Sequence, residues 1–352
     1  MLICQVAIFL VLAMVLRRKP DVLINILPNL RENKYQGQDK LPVIVWMVVQ
    51  ASRGDLAVGL YLWAHHILPM LKGKLSSNPQ SRDLVLQVVE RILSAPKARS
   101  ILVNGSVRKG ERLIPPASLD QLLHVTFPAS SARVKATERF ESIYPTLKEV
   151  ALAGAPGSKA MKQVSQQIQA VAVKSAQEEI PELTEEAVSI FVWCLTQNPD
   201  CYKQWDKIYM DNIEVSVAAL RKLAKECKEI PLQQCSLEAL RQTLNIFRQK
   251  NEKALAGGVD VAHQAFFKDA DKYCKYISEG LVDSTRVVAA ECAIFPLLKL
   301  LDIRTERAVE ASLAILYNFS MDNENHSAII SAGAISVLRT VLFCGCRLYI
   351  KF

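Results

Sequence analysis

Hydrophobic positions along this chain fall into blocks several turns long, separated by short polar or proline-containing breaks, and nowhere into a sustained alternation of period two. The densest block is Leu41–Met70, LPVIVWMVVQASRGDLAVGLYLWAHHILPM. Pro42 suits a first helical turn, where a missing N–H costs nothing. An apolar run follows to Val49. Gly54 then offers the left-handed conformation that stops a helix, and Asp55 a carboxylate to cap the next one over Leu56–Leu68. Two short helices that are apolar on most sides and joined tightly form an αα-hairpin. It needs neighbours on both faces, with Val45, Trp46, Leu60 and Trp63 expected in the core.

The chain supplies such neighbours. Leu2–Leu16 is apolar except for Gln5 and ends at Arg17-Arg18-Lys19. It is short for a membrane span, and its charges follow rather than precede the apolar run, unlike a signal peptide. A buried helix is favoured here, packed on Val22–Ile26 and the hairpin, with an uncleaved signal or interfacial anchor as the alternatives. Further on, Ser81 caps a helix over Arg82–Ser94 with Leu84, Val88 and Ile92 on one stripe, and Ala98–Val103 returns. Ser118 caps Leu119–Phe127, and Pro145 breaks a segment that starts near Ser130. Ser158 opens a helix with Met161, Val164, Ile168 and Val171 on one side. Helices over 184–197, 201–210, 211–228, 236–255 and 260–278 complete this part. The reading is all-α: an irregular HEAT/armadillo-like α-solenoid of antiparallel helix pairs.

Texture changes near Glu279–Ser284. Beyond it AIFPLLKLL, ERAVEASLAILYNFS and AGAISVL are denser in Ala and Leu. The expected organisation is therefore 1–280, 284–342 and a non-repeat tail at 343–352.

Charge alters this picture only locally. Residues 1–162 hold 22 Lys/Arg against 11 Asp/Glu, whereas the rest hold 21 against 24. A basic half can meet an anionic membrane surface, but these residues are spread singly, without aromatic interleaving, so a solvated face is the first reading. Nucleic acid is not an expected partner. Nine cysteines without a C-x-x-C pair read as reduced, buried thiols.

Residues 5–275 resemble the plant branch of the transmembrane protein 214 family. The stretches QVAIFLVLAMVLRRKPDVL, GDLAVGLYLWAH, NPQSRDLVLQVVERILS, ILVNGSVRKGERLIPP, CYKQWDKIY and FRQKNEKAL carry the resemblance in order. It implies a non-enzymatic helical-repeat scaffold of the endoplasmic reticulum, held by C-terminal hydrophobic segments and linked in animals to cell death under stress. Its partners would be proteins. No such segment follows here, so the cytosol stands beside the membrane face as an expected location. Residues 291–342 resemble an armadillo repeat of the plant U-box type, with Asn318 matching the asparagine that holds extended peptide in the groove. That resemblance implies a peptide-binding adaptor; no U-box accompanies it.

No catalytic chemistry is expected. Asn104–Glu111 has P-loop glycine spacing but Glu111 where lysine is required. His65 and His66 are adjacent and point apart, while His124, His263 and His326 lack carboxylates or thiols at ligand spacing. Trp46, Trp63, Trp193 and Trp205 read as core. Cofactors, metals and a small-molecule substrate are not called for, and Asn318 is the one candidate site residue.

Overall fold

The computed structural model describes residues 2–35, 37–71, 78–155, 157–226, 234–257, 261–302, 306–321, 326–331 and 333–345. Among them every regular element is helical, so the all-α expectation holds. Two compact units emerge. The first is Met1–Lys222 with Gln233–Thr243, and the second is Leu223–Leu232 with Leu244–Phe352.

The first unit opens with α1 (Leu2–Arg18), α2 (Asp21–Leu30), α3 (Leu41–Gly54) and α4 (Leu56–Leu62). Asp55 caps α4 as its sequence suggests, accepting from the Ala57 N–H at 2.7 Å. Gly54 departs from expectation. It ends α3 without a positive φ, and its value is the missing side chain, since a Cβ there would lie 2.2 Å from the Arg17 carbonyl oxygen. Gly59 does the same for α3 against α4, where a Cβ would meet Ser52 at 2.4 Å. These two close approaches let α3 lie between α1 and α4. Val45, Leu60 and Trp63 are buried, but Trp46 is half-buried under Phe9, which meets it edge-on at 5.1 Å.

Past α4 the backbone widens into a π-helical turn, Trp63–Ile67, and tightens into a 3-10 turn, Leu68–Leu71. Next come α5 (Pro79–Leu93), α6 (Ala98–Val103), α7 (Pro116–Thr126), α8 (Lys135–Leu152), α9 (Lys159–Ala176), α10 (Pro181–Gln197), α11 (Asp200–Ile208) and, as far as Lys222, α12 (Ile213–Glu226). Several caps differ from expectation. Asn78, not Ser81, caps α5 through the Gln80 N–H at 2.8 Å, because Pro79 fits the first turn and moves the start upstream. Ser118 lies inside α7, which starts at Pro116 for the same reason. Pro145 does not break α8 but sits within it. Ser158 does cap α9. The buried stripe of α9 is Met161, Ser165, Ile168, Gln169 and Ala172 rather than the more apolar Val164 and Val171, because its small residues allow α10 to lie close along it.

The second unit takes α13 (Gln234–Ala256) from Leu244 onward, α14 (Val261–Asp302), α15 (Glu306–Ser320), α16 (His326–Ser331) and α17 (Ala334–Gly345). The helix α14 runs through residues 279–284 without interruption. It carries AIFPLLKLL in its final turns, beyond the change of texture near Glu279–Ser284. Leu297, Leu298 and Leu301 from it meet Leu316 of α15 and Ala334 of α17 in a small core. Residues 346–352 of the expected tail lie outside the described residues.

Candidate functional site

Polar side chains collect at two places in the first unit. One surrounds the π-helical turn. Widening the helix there sends the Leu68 N–H back to the Trp63 carbonyl, and the Ala64 carbonyl accepts from the Ser118 hydroxyl at 2.6 Å. The Trp63 indole N–H donates to the Val85 carbonyl at 2.9 Å. His65 stacks on Tyr61 with centroids 3.9 Å apart, and its Nε2 lies 3.0 Å from the Arg112 carbonyl. Burial holds its pKa down. The Tyr61 hydroxyl donates to Glu111, and burial followed by that carboxylate pushes the phenol up to about 12. His66 is buried, its Nε2 has no partner, and burial followed by the charge of Arg31 brings its pKa down to about 4.

Arginines clamp this region to distant backbone. Arg31 donates to the His65 carbonyl at 3.0 Å, Arg108 to Ile24 at 3.3 Å, and Arg112 to Ala151 at 2.7 Å and also to Ala153. Elsewhere Arg17 holds Gln50, Arg99 holds Glu149, and Arg133 holds Glu141 and Glu182. The basic first half is thus only partly a solvated face, because many of its arginines are cross-links. A Tyr–His–Glu–Arg grouping invites thoughts of proton transfer, but hydrogen bonds to neighbouring structure already engage all four side chains.

The second place is a cleft of ≈ 410 Å³ below the 68–71 turn, walled by Leu68, Leu71, Val125 and Phe140. Helix α7 presents Asp120, Gln121 and His124 to it, with Asp120 and His124 one turn apart on the same face. His124 donates through Nδ1 to the Asp120 carbonyl at 2.6 Å, and its Nε2 lies 2.8 Å from Glu178. Burial lowers its pKa, but those two hydrogen bonds and both carboxylates outweigh it, and the net direction is upward. This corrects the expectation of a histidine without carboxylates: Asp120 was in view at the fourth residue upstream, while Glu178 is brought by the fold. Gln121 is 8% exposed, and its Oε1 and a buried Asp120 oxygen have no hydrogen-bond partner. Arg82 and Lys174 stand at the same cleft.

A neighbouring cleft of ≈ 510 Å³ shares Arg82, Ala132, Val134 and Ala136, so the two form one trough. Its far wall is Arg139, which grips Glu90 at 2.8 Å through Nε and also reaches Asp83. The trough offers apolar walls, orphaned acceptors and cations. No Ser or Cys stands beside His124 among its lining residues. The buried thiols of Cys194, Cys201 and Cys274 are all pushed up by burial, the second to about 11 and the third to about 12. Among the described residues no cluster of His, Cys, Asp or Glu could hold a metal ion. No described helix is long and apolar enough to cross a membrane. Asn318 lies exposed on α15, in the other unit.

Three curated relatives are similar in sequence. Human transmembrane protein 214 is 26% identical over 220 residues, covering 62% of this chain and 29% of that protein. The mouse protein of that name is 23% identical over 311 residues, covering 85% and 42%, and Xenopus laevis transmembrane protein 214-A is 24% identical over 241 residues, covering 67% and 33%. The chain thus spans less than half the length of these relatives. No solved structure matches it. The family profile described as "TMEM214, C-terminal, caspase 4 activator" matches residues 8–293, all of the first unit beyond its opening turns and much of α14. On that match the chain belongs to the TMEM214 family.

Proposed function

We propose that this chain is a non-enzymatic helical scaffold, working at a membrane face and acting by binding another protein in the trough of the first unit. The trough itself carries the reading. Its walls are apolar, the enclosed Gln121 Oε1 lacks a donor, and its one histidine is engaged at both ring nitrogens. A partner side chain with an N–H donor on an apolar body satisfies the first two features, and the engaged histidine leaves the trough suited to binding. The family's description as a caspase 4 activator supports a protease zymogen as the class of partner. The endoplasmic reticulum and a solenoid stacking of the helix pairs belong to the same proposal. The experiment is to titrate purified chain into a caspase 4 zymogen and follow its processing. A scaffold gathers zymogens, so processing rises and then falls as excess chain separates them. The variant Gln121→Leu, which removes the acceptor without a donor, is expected to flatten that curve, and Asn318→Ala to leave it unchanged. A steady rise without an optimum would overturn the scaffold reading. An Asn318→Ala loss would move the binding site to the armadillo-like groove of the adaptor reading.

A further inference from the structure

Helix α1 inverts the usual arrangement of a surface helix. Such a helix keeps its apolar stripe inward and polar residues outward. In α1, from Val6 to Val15, each exposed residue is apolar: Ile8, Leu10, Val11 and Met14 are 61–71% exposed, with Val6, Ala7, Phe9 and Val15 beside them. Among its described side chains, from Val6 to Arg18, Leu16 alone is buried, which corrects the expectation of a buried helix. The uncovered area is on the order of several hundred Å², at or above the largest apolar patch of a typical monomer (~300–600 Å²).

The charges adjoining the patch decide what covers it. Directly after it come Arg17, Arg18 and Lys19, all exposed, with Asp21 the nearest acid in sequence. An apolar strip ending in a cationic collar complements an anionic lipid surface, where acyl chains take the strip and phosphates the collar. The helix lies on such a surface rather than crossing it. Its 17 residues reach about 25 Å at ~1.5 Å per residue, below the ~30 Å of a hydrocarbon core. It is also pinned along its length to α3 by the Phe9–Trp46 contact, the Arg17–Gln50 hydrogen bonds and the backbone approach at Gly54. We infer that the outward face of α1 is a membrane-interfacial surface for anionic lipid, with Ile8, Leu10, Val11 and Met14 inserting shallowly and Arg18 and Lys19 reaching headgroups. This rests on the membrane-face part of the proposed function and identifies the residues that make the contact.

The test is sedimentation of the full chain with vesicles of phosphatidylcholine alone and of phosphatidylcholine with phosphatidylserine, beside its mass in solution without lipid. Wild type is expected to bind the anionic vesicles and to do so more weakly as salt rises. Leu10→Asp/Met14→Asp alters exposed positions only and is expected to lower binding at least tenfold with an unchanged thermal melt. Arg18→Glu/Lys19→Glu is expected to abolish the preference for anionic over neutral vesicles. Three outcomes would overturn the inference. One is a monomer that ignores both vesicles. Another is vesicle binding untouched by the aspartates. The third is a lipid-indifferent oligomer that those aspartates dissociate, which would assign the face to a second copy. Zymogen processing in solution reports on the trough alone, so failure of one test leaves the other standing.

Discussion

Two stretches of similar apolarity meet opposite fates in the first unit. Leu56–Leu71 is buried over nearly its whole length, with Leu60, Trp63, Ala64, Ile67 and Leu68 wholly out of solvent. The helix α1 is equally regular, yet of its described side chains from Val6 to Leu16 only Leu16 is buried. The difference is the number of neighbours. The α4 helix and its turns have α2, α3, α5, α6 and α7 around them, whereas α1 packs mainly on α3. The inner stretch also carries polar tethers, from Trp63 to Val85 and from Ser118 to Ala64, that fix where it sits. Hydrophobicity thus measures what a segment gains by leaving water, and packing partners determine whether it does so.

The sharpest way to break that comparison is Trp63→Ala. The side chain is fully buried and its indole N–H serves the Val85 carbonyl, so its loss leaves a cavity and an orphaned acceptor. About 4 kcal/mol of stability should disappear, read as a lower denaturant midpoint at unchanged slope. A loss under about 1 kcal/mol would mean that this stretch is no more embedded than α1.

Next comes pH. His66 is buried with its pKa down to about 4, against 6.5 unfolded. The unfolded imidazole takes up its proton first as pH falls, so the stability gained by keeping this ring neutral is present above pH 6.5 and is lost between 6.5 and 4. At ~1.4 kcal/mol per unit the loss is about 3 kcal/mol. His66→Phe, compared with wild type across that window in denaturant melts, should lose less by about that amount. Equal slopes for the two proteins would show that the ring reaches water when it titrates.

The smallest effect is expected on α1. Met14→Ser removes an apolar side chain that is 71% exposed, and stability in water should change by no more than about 0.5 kcal/mol. A loss near 2 kcal/mol would show that something covers the helix in solution.

Helix identity was the most legible property of the sequence, because the period of Leu, Val and Ile repeats is local. Asp55 announced itself as a cap for the same reason. Ser81 and Ser118 misled because Pro79 and Pro116 start their helices earlier. The trough was largely hidden. Asp120 and His124 stand one turn apart, a spacing visible in the chain, but Glu178 arrives from 54 residues away. Nor does a sequence say that Gln121 will be enclosed without a donor for its oxygen. The roles of Gly54 and Arg112 were illegible for a related reason: both depend on a backbone atom of a remote segment, and every residue type has the same backbone.

The arginine clamps also set a clock. Arg108 closes on the carbonyl of Ile24, 84 residues earlier in the chain. At a synthesis rate of ~5–20 residues per second, about 4–17 s pass between the appearance of acceptor and donor. Throughout that interval the apolar side of α2, with Leu23, Ile24 and Leu27, waits without the loop that later ties it down. Arg112 adds a second delay, since it must wait for the carbonyls of Ala151 and Ala153. Newly made chain therefore passes through a window in which its stickiest helices are finished and their fasteners are not. Chaperones that shield short apolar helices have their opportunity there, before the last clamp shuts.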